Sequence, residues 1–183
     1  MTRQKFPKTV KLGSDTFTLR LMTVQDRTAI LTFANHLSEG DLLFMRRDVT
    51  KPEAVDAWIN DIQAGHATSI LVEDEHGIVA YGTLYFNQLF WNRHLGEIRV
   101  LVSSPYRGHG IGTRLTRELM KFAQEMELEK IVTYMAVDDR GARTVVEELG
   151  FKPEAILADW VKTRDERHHD LLIMSTSLVE MQA

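Results

Sequence analysis

The chain has 183 residues, of which 44% are hydrophobic and 26% charged, with no cysteine and a formal net charge of −4. These values fit one globular domain, and they argue against a nucleic-acid partner, which would require clustered positive charge. The lack of cysteine excludes disulfides, thiolate metal sites and a cysteine nucleophile. No apolar run reaches the length of a membrane span, and no apolar stretch that could serve as a signal peptide follows the basic first ten residues. We therefore expect a cytoplasmic protein that does not bind membranes.

The first half of the chain is predicted to form a strand, two helices and a hairpin. Residues 17 to 21 alternate between apolar and polar, which is typical of a half-buried strand. Asp26 is the predicted cap of the first helix, and Gly40 and Asp41 are predicted to end it. Pro52 fits the first turn of a second helix. Strands 69–73 and 78–86 then flank a tight turn.

The second half is predicted to alternate strands and helices before a closing hairpin. A strand at 97–102 precedes a glycine-rich turn and a helix that ends near residue 127. A buried strand at 131–137 is followed by a short helix that Gly150 ends. Strands 155–162 and 170–175 close the chain. The predicted order is β-α-α-β-β-β-α-β-α-β-β, and because no linker or repeat interrupts it, we expect one domain over residues 1–183.

The most informative segment lies between the strand at 97–102 and the helix after it. Its three glycines, Gly108, Gly110 and Gly112, allow the backbone to approach a phosphate closely. The free N–H groups and the positive dipole end of the following helix favour a bound anion. Arg107 can add a charge-assisted contact. The order of strand, glycine-rich turn and helix therefore predicts an anion site.

Two common phosphate loops do not fit this segment. The loop of nucleoside triphosphatases requires a lysine after its last glycine, and Gly112 is followed by Thr113 and Arg114. The dinucleotide fingerprint requires a different glycine spacing. The pattern R-x-x-G-x-G, from Arg107 to Gly112, instead resembles the acyl-CoA pyrophosphate loop of the GCN5-related N-acetyltransferases, the GNAT superfamily. The alternative is a glycine-rich turn that only connects two elements.

The rest of the chain extends this resemblance. The predicted element order is similar to that of the superfamily core over about residues 16–177, and Leu149-Gly150-Phe151 resembles the end of the superfamily's short helix. The resemblance implies an α/β fold with a mixed sheet, in which the strand before the glycine loop splays from the next strand. It also implies acetyl-CoA as a co-substrate that binds in that gap.

The resemblance assigns candidate donor-binding residues to both sides of the glycine loop. The superfamily's pantetheine pairs with the splayed strand and its pyrophosphate binds the loop. His109 occupies a variable position, where exposure to solvent is favoured over a phosphate contact. The candidates are Leu101, Val102 and Ser103 on the strand, Arg107, Gly108, His109, Gly110, Ile111, Gly112, Thr113 and Arg114 in the loop and helix, and Asp139 and Ala142 at the short helix.

Catalysis by direct attack requires a base for the acceptor amine and an acid for the departing thiolate. Glu97, at the start of the splayed strand, is the candidate base. The alternative is a structural pairing with Arg99, two residues on and on the same face. The superfamily's usual tyrosine acid corresponds to Val146, which cannot donate a proton. Tyr134 is the candidate replacement, and Tyr106 or water are the alternatives.

The resulting hypothesis is an enzyme that moves the acetyl group of acetyl-CoA to a primary amine. The missing tyrosine motivates one alternative, a non-catalytic acyl-CoA sensor, and a structural glycine loop in an interaction protein is another. The acceptor, a small molecule or a peptide, stays open because a fold does not determine its substrate. The net negative charge slightly favours cationic amines or basic peptides, whereas Arg46-Arg47 suggests either an acidic substrate or a solvated loop pair.

Two pairs of conspicuous side chains have competing interpretations. Trp91 and Trp160 precede the splayed strand and lie in the closing hairpin, so they can wall the acceptor pocket or pack in the core or in a homodimer. His168-His169 suggests a metal, but adjacent strand residues face opposite sides and no other ligands stand at suitable spacing. We therefore expect no metal.

Overall fold

The computed structural model describes residues 5–43, 45 and 47–179, so Arg46 lies outside the described residues. Within these residues the strands are β1 (Lys8–Leu12), β2 (Asp15–Leu21), β3 (Ala67–Asp74), β4 (Gly77–Tyr85), β5 (Leu95–Val102), β6 (Lys130–Ala136), β7 (Lys152–Lys162) and β8 (His168–Ser177). The helices are α1 (Arg27–Asn35), α2 (Glu39–Leu42), α3 (Pro52–Gln63), α4 (Ile111–Glu125) and α5 (Arg140–Glu148).

The strands form one mixed sheet in the order β1-β2-β3-β4-β5-β6-β8-β7. Neighbouring strands run antiparallel except β5 and β6, which are joined by the crossover helix α4 and run parallel. A crossover of this kind is the usual way to connect parallel neighbours. The only parallel pair that the described part of the chain contains therefore lies at the centre of the sheet.

Helix α4 covers one face of the sheet and carries the main core. Its apolar positions repeat with helical spacing, and Ile111, Leu115, Leu119 and Phe122 are at most 2% exposed. Gly82 on β4 allows this helix to approach, since a Cβ there would lie 3.0 Å from Leu119 Cδ1. The helix begins at the end of β5, and its N-terminus is thereby fixed beside the central strands.

Helices α1 and α3 cover the other face, where a second cluster of buried residues forms. Ile30 of α1, Val55 and Trp58 of α3 and Leu71 of β3 are each at most 1% exposed. The Trp58 indole N–H donates to Ser69 Oγ over 2.9 Å, which satisfies the one polar atom of a buried ring. The central strands therefore lie between two apolar layers.

The α/β class and the mixed sheet predicted from the sequence are confirmed, and the predicted elements recur in order with two additions. Strand β1 precedes the first predicted strand, and the short helix α2 occupies the segment where Gly40 and Asp41 were expected to end the first helix. Ser38 caps α2 through its side chain, and Asp41 at the third position accepts from the Ser38 amide in return. Asp41 therefore starts an element rather than ending one.

Candidate active site

Strands β5 and β6 separate at the centre of the sheet. Their parallel pairing covers three residue pairs and stops at Glu97 and Val132. Thr133 Oγ1 still donates to the Ile98 carbonyl over 3.2 Å, while the remainder of β6 pairs with β8 on its other side. Beyond Ile98 the backbone of β5 therefore faces a gap, which is the splay that the resemblance implied.

The register of β5 against β4 decides which peptide groups face this gap. The Ser103 amide donates to the Val79 carbonyl over 3.1 Å, so Ser103 is bonded toward β4. Because the peptide groups of an antiparallel strand alternate between its two neighbours, Leu101 shares this orientation. Val100 and Val102 have the opposite orientation, and their peptide groups face the gap.

The glycine-rich turn connects the end of β5 to α4 through left-handed backbone. Gly108 and Gly110 have φ of 81° and 80°, a region that other residues rarely adopt. Gly110 is the N-cap of α4 and makes no side-chain cap bond, and no atom lies within 4 Å of a Cβ built on Gly108 or Gly110. The N-terminus of α4 is therefore open to an anion, and it lies at the mouth of the gap.

Arg107 is held by the buried carboxylate of Asp41, a residue for which the sequence predicted only a place at the end of a helix. Its Nη2 donates to Asp41 Oδ1 over 2.5 Å and its Nε donates to the Val102 carbonyl over 3.1 Å. Asp41 also accepts from the Ser104 hydroxyl and from Ser38. Burial raises the pKa of Asp41, but the hydrogen bonds from Ser104 and Ser38 outweigh it and hold the pKa below its usual value. Asp41 thus fastens helix α2 to the glycine turn.

Some of the other residues predicted to bind the acetyl donor line the site, and others make contacts outside it. Thr113 and Ile111 both line the cavity described below, although most of the Ile111 side chain is buried in the core. His109 is 41% exposed and lies 3.8 Å from Asp15, and Arg114 Nη2 contacts Glu118 one turn along α4. At the start of α5, Asp139 caps the helix by accepting from the Ala142 amide, and both residues line the same cavity.

One cavity of about 1020 Å³ joins the gap, the glycine turn and the face of α5 to the space beside α2 and α3. Its lining includes Gly110 and Thr113 at one end and Trp58 and Tyr85 at the other. A cavity of this size is at the upper end of the range for small-molecule and cofactor sites. The gap between β5 and β6 therefore connects two compartments, one beside the helix N-terminus and one beside an aromatic wall.

The two predicted catalytic side chains share a second cavity, beside the point where β5 and β6 separate. Glu97 and Tyr134 both line a smaller cavity of about 270 Å³, and Tyr134 also lines the large one. Glu97 Oε1 accepts from Arg99 Nε over 2.7 Å, which is the pairing considered as the structural alternative. Val146 is 6% exposed and lines the large cavity from α5, so the position of the superfamily's usual acid faces the site without a proton to give.

Tyr106, the second candidate acid, is already engaged elsewhere. Its hydroxyl donates to Asp74 Oδ2 over 2.5 Å, and this hydrogen bond, with some burial, raises the pKa of Tyr106 to about 12. Its ring packs edge-on against Phe17 at 6.2 Å. The phenolic proton is therefore held at the turn between β3 and β4, whereas Tyr134 lines both cavities.

The remaining conspicuous side chains lie away from the cavity. Trp91 and Trp160 are 92% and 68% exposed, and neither lines the large cavity. His169 Nδ1 lies 2.7 Å from Asp138, beside the start of α5. Among the residues that the structure describes, no group of three or more potential ligands is arranged to hold a metal, and no helix is long and apolar enough to cross a membrane.

Comparison with known proteins identifies the family. A sequence profile described as the acetyltransferase (GNAT) family matches residues 36–151, which is more than half of the chain. The chain therefore belongs to the GNAT family of acetyltransferases, as the glycine loop indicated.

Individual relatives span nearly the whole chain. It is 22% identical to "Putative phosphinothricin acetyltransferase YwnH" of Bacillus subtilis, covering 88% of this chain and 99% of that protein. It is 28% identical to "Putative ribosomal N-acetyltransferase YdaF" of the same organism, covering 86% and 89%. A spermidine N-acetyltransferase from Vibrio cholerae, solved with CoA and spermine, has a TM-score of 0.75 at 19% identity and covers 91% and 98%.

These findings establish an enzyme of the N-acetyltransferase class. The relatives are named as acetyltransferases, so the comparisons favour turnover over the sensor alternative. The names of the relatives differ in the acceptor they mention. The acceptor of this chain must therefore be inferred from its own residues.

Proposed function

We propose that this enzyme transfers the acetyl group of acetyl-CoA to a primary amine. The observation that carries the proposal is the separation of β5 from β6 after three pairs, directly in front of the open N-terminus of α4. A thioester carrier with a diphosphate needs both features, a helix terminus for the charge and an open strand for the extended arm. The bound CoA in the Vibrio cholerae structure of the same fold supports this choice of donor.

The donor occupies the compartment between the glycine turn and α5. Its diphosphate accepts from the amides of residues 108–113, with Arg107 beside them. Its pantetheine arm pairs with the peptide groups that face the gap, so we assign these contacts to Val100 and Val102, rather than to Leu101 and Ser103, whose amides are oriented toward β4. The Val100 amide is the donor we assign to the thioester carbonyl, where negative charge develops during the reaction.

The acceptor nitrogen attacks the thioester carbonyl carbon. The new C–N bond forms, the C–S bond breaks, and the sulfur leaves as the thiolate of coenzyme A. Glu97 takes the proton that the amine loses, directly or through water, and Tyr134 gives a proton to the thiolate. Support for these roles comes from position, because both side chains line the small cavity at the point where the strands separate.

A thiol-release assay over a panel of amines tests the proposal. Because the chain contains no cysteine, every thiol signal reports free coenzyme A. With acetyl-CoA and the preferred acceptor both saturating, we expect Glu97→Gln to lower kcat by roughly 100-fold, the size of a lost general base, with little change in donor affinity. Glu75→Gln is the matched control, since Glu75 lies on the exposed turn between β3 and β4.

The outcomes separate the donor assignment from the base assignment. Release of coenzyme A with no amine in the panel, despite donor binding, would reject the transferase proposal. An unchanged rate for Glu97→Gln, with turnover intact, would reject only Glu97 as the base and leave the pairing with Arg99 as its role.

A further inference from the structure

The acceptor compartment combines an aromatic wall with two cations. Trp58, Tyr81 and Tyr85 line it, and so do the arginines Arg47 and Arg99. The Tyr81 and Trp58 rings lie 4.8 Å apart, and burial raises the pKa of both tyrosines, so the wall is uncharged at neutral pH. An uncharged wall leaves the two guanidinium groups as the charges that meet an incoming acceptor from this side.

Both arginines converge on the same ring. The guanidinium carbons of Arg99 and Arg47 lie 4.4 Å and 5.7 Å from the centre of the Tyr85 ring. Their positive charges also oppose the rise in the pKa of Tyr81 that burial causes. The two cations therefore act on one region of the cavity, although they are 52 positions apart in the sequence.

Each arginine is held in place by a carboxylate that occupies only part of its donor set. Arg47 Nη2 contacts Asp61 over 2.9 Å, and Arg99 Nε contacts Glu97 over 2.7 Å. A guanidinium carries five N–H donors in a rigid fork. The carboxylates therefore orient the two groups without using all of their donors.

Arg47 carries the clearest sign of a missing partner. Its Nη1 is buried, and no acceptor for it exists among the residues that the structure describes. A buried donor on a charged group without an acceptor is costly, and such atoms in native proteins call for an explanation. One explanation is that the substrate brings the missing hydrogen-bond acceptor, because Arg47 lines the cavity.

We propose that the amine acceptor also carries a carboxylate, which Arg47 and Arg99 bind, and that it is a free α-amino acid or a close analogue. This inference rests on the proposed function. Arg99 contacts Glu97 directly, so an amine that approaches Glu97 brings a nearby anion within reach of Arg99. Amine and carboxylate are thus separated by only a few bonds. The aromatic wall then receives the side chain of the amino acid.

This local arrangement outweighs the charge of the whole chain. The net charge of −4 alone favours cationic acceptors. Within the compartment, however, the two guanidinium groups line the cavity while their partners Asp61 and Glu97 do not, and charges on cavity walls act at a shorter range and with less screening than the overall charge. A polyamine would bring further positive charge against them.

Matched acceptors test the inference. We compare kcat/KM for methionine with methioninamide and for phenylalanine with phenylalaninamide, and we include spermidine. The amide pairs replace the carboxylate with a neutral group of the same shape and make the amine a weaker base, so deprotonation alone would favour the amide. We expect the free acids to be preferred by roughly 10- to 100-fold, the effect of a hydrogen-bonded charge pair.

Variants assign the preference to a residue. Arg47→Met keeps the length of the side chain and removes its charge, so KM for the acid should rise by roughly 10-fold or more while kcat/KM for the amide stays within about 3-fold. Arg47→Lys should recover part of the loss. Arg27→Met is the matched control, because Arg27 is also paired with an aspartate but lies on the outer surface of α1. Donor KM and melting temperature report whether each variant is folded.

The outcomes distinguish this inference from the function on which it rests. Turnover of spermidine or of the amides at least as efficiently as the acids would overturn the inference and leave the transferase intact. A loss in Arg47→Met that is equal for acid and amide would also overturn it, since the role would then be structural. Failure of every amine to release coenzyme A would refute the proposed function, and the inference with it.

Discussion

Replacing Asp41 with asparagine should both destabilise the protein and loosen the glycine-rich turn proposed to bind the donor. The Asp41 side chain is 1% exposed and accepts five hydrogen bonds, two from Ser38, two from Ser104 and one from Arg107. Asparagine has the same shape, but one of its two acceptor oxygens becomes an NH₂ group. At least one of the contacts then places a donor against a donor.

The magnitude follows from the burial of each partner. Removing one member of a buried ion pair costs about 3–5 kcal/mol. The Arg107 side chain is 54% exposed and regains water when the pair is broken, so we discount the estimate to about 2 kcal/mol. For a domain of this length, 1 kcal/mol changes the melting temperature by about 2–4 °C, which gives an expected decrease of about 4–8 °C.

The pH dependence provides an independent check of the same carboxylate. Its pKa is lowered in the folded state, so its contribution is fully present above the unfolded-state pKa of about 3.9 and is lost as the pH falls through the folded-state value. The difference in melting temperature between wild type and Asp41→Asn should therefore be constant from pH 7 to pH 5. It should narrow below about pH 4.

Thermal melts with and without acetyl-CoA measure both effects. Asp56→Asn is the control, because Asp56 pairs with Arg27 on the surface and such pairs contribute less than about 1 kcal/mol. We also expect a higher acetyl-CoA KM in Asp41→Asn, since Arg107 loses its anchor. A variant that melts within 1 °C of wild type at pH 7, with unchanged donor KM, would refute the argument that Asp41 fastens α2 to the glycine turn.

Three further substitutions test separate parts of the structure. Gly110→Val should abolish the rise in melting temperature that acetyl-CoA causes, whereas Gly13→Val, which also replaces a left-handed glycine with open space around it, should keep that rise. Glu118→Gln should lower the free energy of unfolding measured in urea by about 2–3 kcal/mol, because this fully buried carboxylate binds Lys8 and Arg114. A decrease of less than about 0.5 kcal/mol would contradict this role of Glu118. Tyr134→Phe should lower kcat by roughly 10-fold or more with unchanged donor affinity, and a larger effect from Tyr106→Phe would instead identify Tyr106 as the acid.

The parts of the fold that local periodicity determines were predictable. Helix α4 shows this best, because Ile111, Leu115, Leu119 and Phe122 repeat at helical spacing and are buried as that spacing predicts. The glycine turn was equally local, since its conformation depends on the absence of side chains at Gly108 and Gly110.

Strand β1 escaped prediction because its apolar signal is weak, although its partner β2 follows directly across the turn at Gly13 and Ser14. Val10 and Leu12 alternate with Thr9 and Lys11 and are only partly buried, so the pattern differs little from that of a polar terminus. Beyond its pairing with β2, the strand region is held by Lys8, which donates to Glu118 over 2.5 Å across 110 residues, and by Phe6, whose ring stacks on Phe122 at 5.7 Å. No residue near position 8 in the sequence indicates either of these two side-chain contacts.

The donor and acceptor halves of the site differ in the same physical way. Most of the proposed donor half lies in one continuous segment, residues 100–114, with Asp139 and Ala142 of the start of α5 beside it, so its candidate residues followed from local motifs. Only the register of β5 against β4 was needed to exchange Leu101 and Ser103 for Val100 and Val102 as proposed partners. The acceptor half joins α3, β4, β5 and the segment before α3, and its charge depends on which arginines the sheet brings to one ring. A loop that binds an invariant donor can keep a local motif, whereas a pocket made of distant segments can exchange single residues without disturbing that loop. The substrate of such an enzyme is therefore determined by the acceptor pocket, whose residues are brought together by tertiary contacts that the sequence alone does not reveal.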